Sequence, residues 1–342
     1  MTNQFQLLSC LLVLCCLACH TEVEDCLAVS PLEELTHIPK GFPAIDYPEG
    51  NEFTLARWEL GKQLFFDPIL SVDSSVSCAS CHQPDLAFSD EFAVSLGVSA
   101  RPGNRNSPSL ANVAYHPYFT REGGVPTLEM QVLVPIQEHQ EFDFNIVPLS
   151  TRLQEDSHYV ALALEAYNLK PNPFVITRAL ACFERSLISG NSPYDQYVQN
   201  QKESALSVEA KAGRKLFFSD RTNCSECHGG FNFTNYAFEN NGLYETYADE
   251  GRFRLTGKEV DRALFKVPSL RNIAVTGPYM HDGSMDNLEA VIEHYSTGGK
   301  NHPHKSALLK PLNLTTAEQT ALLAFLTALT DENFIRNPLF RE

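Results

Sequence analysis

Positive charge is scarce in this chain: 26 Lys and Arg stand against 42 Asp and Glu, a formal net charge of −16 over 342 residues. Such a surface repels phosphate backbones, so no nucleic-acid partner is expected, and a basic protein is the more natural docking partner. Long apolar runs are missing as well. The apolar stretch from Phe5 to Cys19 is too short to cross a bilayer comfortably and lies where a secretory h-region belongs. Residues 1–19 are therefore read as an export signal, although no Lys or Arg precedes the stretch. Strand signals are sparse too. Leu, Ala, Glu and Lys dominate the segments between Gly- and Pro-rich loops, which predicts a mainly α-helical protein with long loops.

Cysteine, by contrast, is present in a telling arrangement. Cys78-Ala79-Ser80-Cys81-His82 and Cys224-Ser225-Glu226-Cys227-His228 are two copies of C-x-x-C-H, the covalent attachment sequence of c-type haem. Two thiols at this spacing reach the two vinyl groups of one porphyrin, and the adjacent imidazole is held beneath the iron. A zinc site also pairs cysteines, but it needs both pairs close in sequence and has no use for a histidine after each. Two covalent haem c groups are expected, with His82 and His228 as proximal iron ligands. Covalent haem of this kind implies export, which agrees with the leader and places the protein in the periplasm.

The remaining cysteines are less informative. Cys10, Cys15 and Cys16 fall in the leader, and Leu17-Ala18-Cys19 resembles the end of a bacterial lipobox, making Cys19 a candidate lipid anchor. Cys16-Leu17-Ala18-Cys19-His20 is formally a third haem motif, but it lies in the segment expected to be removed or lipidated. Cys26 has no assigned role. Cys182 sits in a stretch of helical composition and is expected to be a buried structural thiol.

An internal repeat organises the rest. Gly61-Lys62-Gln63-Leu64-Phe65-Phe66 before the first motif matches Gly213-Arg214-Lys215-Leu216-Phe217-Phe218 before the second. After the motifs, Pro108-Ser109-Leu110 matches Pro268-Ser269-Leu270, and Leu128-Glu129 matches Leu288-Glu289, both at an offset of 160 residues. Two cytochrome c-like haem domains follow, residues 49–195 and 205–331, joined around residues 190–207 and preceded by an extension at 20–48. Thr315 with Glu318 predicts the cap of a last helix running through Leu329.

The same offset separates the two irons. Tyr295 lies on a helix expected to run beside the second haem, and its partner in the first half is Pro135. A phenolate can bind ferric iron, whereas proline has no ligand atom, so the first haem would be open where the second is closed. The plainer reading is that Tyr295 is an ordinary half-buried tyrosine, with Met280, Met285 and His294 as alternative ligands. Gln131 and Glu141, near Pro135, read on their own as two solvated polar residues.

From about Asn51 to Leu329 the pattern resembles the bacterial dihaem cytochrome c peroxidases and their MauG-type relatives. The residues that carry it are Leu64-Phe65-Phe66-Asp67, Ser77 to His82, Arg105 to Leu110, Gln131, Pro135-Ile136, Glu141, Phe265 to Asn272 and Gly277 to Gly283. The resemblance implies a peroxidatic N-terminal haem and a C-terminal haem that relays electrons. It implies that Glu141 is the distal acid-base group and Gln131 its distal partner, and a buried glutamate there would have the raised pKa that proton transfer wants. It also implies one calcium ion between the haems, held by the Asn106 side chain and the backbone carbonyls of Thr276 and Pro278. A homodimer is compatible with it.

Three departures from the usual peroxidase stand out. Tyr295 replaces a methionine ligand, as in the MauG type, and its anionic oxygen would lower the second haem's potential. Residues 83–105 contain no histidine, so nothing from that loop would block the first iron. Arg121 stands where the family usually has a tryptophan between the haems, and the only tryptophan is Trp58. Electrons would then pass by Tyr118, Phe119, propionates or direct tunnelling.

The expected function is an exported peroxidase that reduces hydrogen peroxide to water with electrons from a small cytochrome c or copper protein. The alternatives are a MauG-like oxidase that modifies residues of a partner protein, and a non-enzymatic dihaem electron carrier.

Overall fold

The computed structural model describes residues 30–342. The export signal, Cys19, the third C-x-x-C-H and Cys26 lie outside the described residues. The chain is mainly helical. Among the described residues its one sheet is two strands of two residues, Phe238–Glu239 antiparallel to Phe265–Lys266.

The repeat in the sequence is a repeat in space. The helix Leu55–Phe66, capped by Thr54, crosses the helix Pro173–Arg185, capped by Asn172 with proline in its first turn. Val208–Phe217, capped by Ser207, crosses Thr316–Thr327 in the same way. Each crossing closes over a glycine. A Cβ on Gly61 would lie 1.9 Å from the Ala179 carbonyl oxygen, and one on Gly213 would lie 1.8 Å from that of Ala321. No other residue allows backbones this close.

Beside each crossing lies an equivalent aromatic cluster. Phe65 packs on Phe183 at 4.9 Å and on Phe88 at 5.8 Å; Phe217 packs on Phe325 at 5.1 Å and on Phe233 at 6.2 Å. Tilted and edge-on pairs of this kind contribute roughly 0.5–1.5 kcal/mol each beyond their buried area. Cys182 is fully buried in the first core. The capping box on Thr315 and Glu318 is present, but the helix stops at Thr327, two residues before the expected Leu329. There Leu329 turns to give its carbonyl to the Asn272 N–H, which ties the helix end to the loop after the second motif.

The halves are locked by buried polar contacts. Asn112 and Asn272, both at φ near +60°, occupy matching positions. Asn112 brackets Ser189 and reaches Asn232 at 3.1 Å, while Asn272 accepts from the Asp331 N–H and donates to the Ser189 hydroxyl. Arg271 pairs bidentately with Asp195, both buried. The extension packs against both halves: Leu35 enters the first core, and Phe42 meets Phe231 at 4.8 Å under the Arg271 guanidinium. The C-terminal Phe334, Ile335 and Phe340 return to the first core.

Candidate dihaem site

Each C-x-x-C-H forms one helical turn, Cys78–Cys81 and Cys224–Cys227, with the histidine as its C-cap. All four thiols are free of disulfides. His82 Nδ1 lies 2.8 Å from the Phe88 carbonyl oxygen, and His228 Nδ1 lies 3.2 Å from that of Phe233. Both phenylalanines have positive φ, 60° and 50°, and each also belongs to its aromatic cluster. A carbonyl at this nitrogen fixes the tautomer as Nδ1–H and leaves Nε2 with a lone pair for a metal. Burial lowers both imidazole pKa values, that of His228 to about 4, so both are neutral and in the ligand form at pH 7.

The distal residues come from a second pair of helices. Thr127 and Asn287 cap them equivalently, accepting from the N–H groups of Met130 and Ala290. The second helix, Leu288–Thr297, is continuous. The first breaks into Leu128–Gln131 and Leu133–Gln137, because Pro135 has no N–H to offer the Gln131 carbonyl. Gln131 therefore sits at the break, and its side-chain Oε1 is buried with no hydrogen-bond partner. An orphaned acceptor costs about 1–3 kcal/mol, so it fits a site built to receive a donor.

Glu141 is held by its backbone. Its N–H donates to the Glu138 carbonyl, its own carbonyl accepts from Val98 at 2.9 Å, and Phe142 N–H reaches back to the Pro135 carbonyl. Glu141 is exposed to solvent rather than buried as expected, yet its carboxyl is crowded by protein atoms. That desolvation, with Glu138 adding, pushes it up to about 7. It lies near enough to Cys78 and Cys81 to act on both thiols. Tyr295 stands in the same relation to Cys224 and Cys227; burial pushes its hydroxyl up to about 12, against the pull of the Asn241 amide.

Asn241, which the sequence did not single out, engages two of the alternative ligands. Its carbonyl lies 2.9 Å from His294 Nε2, and its Nδ2 donates to the Met280 sulfur at 3.1 Å. Trp58 is a core residue, its indole bonded to the Ser186 hydroxyl at 2.9 Å. The halves meet instead through Tyr118, stacked on Phe238 at 5.1 Å with its hydroxyl on the Tyr236 carbonyl.

The wall between the halves is rich in cations. Arg105 forks onto Asp249 at 2.6 and 2.9 Å and also pairs with Glu122. Lys266 donates to the Tyr118 carbonyl at 2.9 Å and toward His116 Nδ1 at 3.4 Å, with no carboxylate within 4 Å among the described residues. Burial and the charge of Arg121 pull Lys266 down to about 8. His116 Nε2 is buried without a partner. Half-buried cations without a carboxylate partner and an orphaned ring nitrogen suit an anionic cofactor at this seam, and the haem propionates are such groups.

The expected calcium ligands do not fit that ion. The Asn106 side-chain oxygen accepts from Arg121 Nη2 at 3.0 Å, and the Asn106 carbonyl accepts from the same guanidinium at 2.7 Å. The free side-chain oxygen that a calcium site requires of Asn106 is already bound to a cation. Thr276 and Pro278 contribute only backbone carbonyls to the set.

The family described as Di-haem cytochrome c peroxidase matches residues 55–203. The methylamine utilization protein MauG of Methylorubrum extorquens is 36% identical over 293 residues, covering 84% of this chain and 82% of that protein. Cytochrome-c peroxidase IdrP1 of Denitromonas iodatirespirans is 32% identical over 321 residues, with 84% and 85% covered. A crystal structure of a MauG-like protein associated with microbial copper homeostasis superposes with a TM-score of 0.84 at 33% identity, over 89% of this chain and 97% of that one. Family membership implies two c-type haems, for which both halves carry the attachment motif, and it sets aside the reading as a mere electron carrier. This chain belongs to the family of dihaem cytochrome c peroxidases and MauG, and it is an oxidoreductase of that family.

Proposed function

We propose that the protein is an exported, periplasmic dihaem peroxidase. It reduces hydrogen peroxide to two waters, taking up two electrons and two protons. Residues 49–195 form the peroxidatic domain and 205–331 the electron-transfer domain. Electrons come from a small cytochrome c or copper protein, enter at the haem of His228 and are used at the haem of His82. One observation carries the reading: Pro135 offers no ligand atom where Tyr295 offers a phenolic oxygen.

The bound haems would supply the redox-active irons. Cys78 and Cys81 would hold the first and Cys224 and Cys227 the second, above His82 and His228, with Tyr295 closing the second iron. The Gln131 oxygen orients peroxide by accepting from its O–H. Glu141, as carboxylate, would take a proton from one peroxide oxygen and return it to the other, preparing that oxygen to depart as water once the haems supply the electrons. A group with its pKa near 7 does both halves of that transfer without a large penalty.

Steady-state oxidation of a reduced small cytochrome c by peroxide tests this. Turnover in the wild type and its loss in Glu141→Gln are expected. No turnover with any donor, together with unchanged peroxide reactivity in Glu141→Gln, would reject the reading. A MauG-like oxidation of a partner protein is the second reading, favoured by the likeness to MauG and to the MauG-like structure. It predicts weak cytochrome turnover, and oxidising equivalents that persist in the peroxide-treated protein when no donor is present.

A further inference from the structure

Arg121 is the most unusual group in the wall between the halves. It is half-buried, and no carboxylate lies within 4 Å of it among the described residues. Its Nε and Nη2 converge on the Asn106 carbonyl at 3.3 and 2.7 Å, and Nη2 also reaches the Asn106 side-chain oxygen at 3.0 Å. Asn106 in turn donates its N–H to the His281 carbonyl of the second half, at 3.0 Å, and its Nδ2 to the Phe92 carbonyl. The Arg121 carbonyl accepts from the Lys266 N–H at 2.7 Å. The guanidinium thus grips Asn106 of its own half, and the backbones of Asn106 and Arg121 carry the link to His281 and Lys266 of the second.

Neutralising converging oxygens, and so fixing a loop that docks on the other domain, is a task a bound metal ion performs. A guanidinium does so with directed N–H donors and needs no free ion. It also repels any divalent cation that would share the Asn106 side-chain oxygen. Around it, Asp249 and Glu122 already pair with Arg105, and Asp282 accepts from the Tyr244 hydroxyl.

We propose that Arg121 is a built-in cation that replaces calcium between the two halves, so that the assembled dihaem protein neither holds nor needs that metal. The proposal concerns assembly and is independent of which reaction the protein catalyses.

The test uses the purified holoprotein. Elemental analysis of the wild type should give far less than one calcium per chain. A chelator, and then calcium chloride alone, should leave the absorption and electron paramagnetic resonance spectra of both haems and the melting temperature unchanged. Arg121→Met, which removes the charge but keeps the apolar stem, should shift the haem spectra and lower the melting temperature, and calcium chloride should reverse part of both changes. One calcium per chain in the wild type, with haem spectra that change on chelation, would overturn the proposal. So would a folded Arg121→Met protein with unaltered spectra and no response to calcium. If that variant fails to fold, the wild-type arm decides alone.

Discussion

Pro135 and Tyr295 occupy the same place on paired helical segments, each the eighth residue from the leucine that opens its segment, Leu128 or Leu288. The pairing gives the two halves opposite chemistry. Proline removes both a ligand atom and a helical N–H, so the first segment breaks at Gln131, whose side-chain oxygen is also an unpartnered acceptor. Tyrosine leaves its helix whole and presents an oxygen toward Cys224 and Cys227.

Glu141→Gln should slow the reaction of the oxidised protein with peroxide by roughly 10²–10⁴-fold, the usual worth of a positioned acid-base group. The wild-type profile follows from the sign of the shift. A base accepts a proton only when ionised, so the rate constant should rise as pH passes through about 7 and level off above it. Stopped-flow measurement across that range checks both points. A glutamine variant with the wild-type rate and the same pH profile would remove Glu141 from the reaction.

Tyr295→Met exchanges an anionic ligand for a neutral one. The second haem's reduction potential should rise by on the order of 0.1 V, because phenolate favours ferric iron. Tyr295→Phe should instead leave that haem five-coordinate, provided Asn241 keeps Met280 and His294 engaged. Spectroelectrochemical titration reads the first effect and electron paramagnetic resonance the second. A potential unchanged by the methionine would mean that Tyr295 is not a ligand.

Glu184 is buried in the helix Pro173–Arg185, and desolvation pushes its carboxyl up to about 8, with Arg185 opposing and Glu129 adding. A raised carboxyl pKa means that the folded state binds the proton more tightly. Stability is therefore fullest below the ordinary value and falls as pH rises from there to about 8. Glu184→Gln should abolish that slope. Above pH 8 it should be the more stable protein by on the order of 2–4 kcal/mol, and near the ordinary carboxyl value the two should be alike. Thermal melts at both ends of the range decide it.

Gly213→Ala should cost about 3 kcal/mol, the upper end for overpacking, because its methyl group would meet the Ala321 carbonyl oxygen. Urea unfolding monitored at the second haem is the measurement. A loss under about 1 kcal/mol would mean that the helices slide apart without strain.

Much of this was legible because haem attachment fixes residues in sequence as well as in space. Two thiols and an imidazole must be neighbours along the chain, so both motifs stand out. The offset of 160 residues pairs Tyr295 with Pro135 because Leu128 and Leu288 open their helical segments at equivalent caps. Arg121 on Asn106 was not legible, and it is the contact on which the proposal sets calcium aside. Two residues of intervening loops met through backbone turns that no periodicity records. Asn241 escaped for a similar reason: its partners, Met280 and His294, are brought to it by the fold. The Gln131 break could have been seen, since Pro135 lies four residues on.

A resting-state electron paramagnetic resonance spectrum, with each haem's spin state assigned, reports both sixth positions together. The proposed asymmetry requires one high-spin ferric haem on His82, open above Pro135, and one low-spin ferric haem held by His228 and Tyr295. Two low-spin, six-coordinate haems in the fully oxidised protein would contradict it.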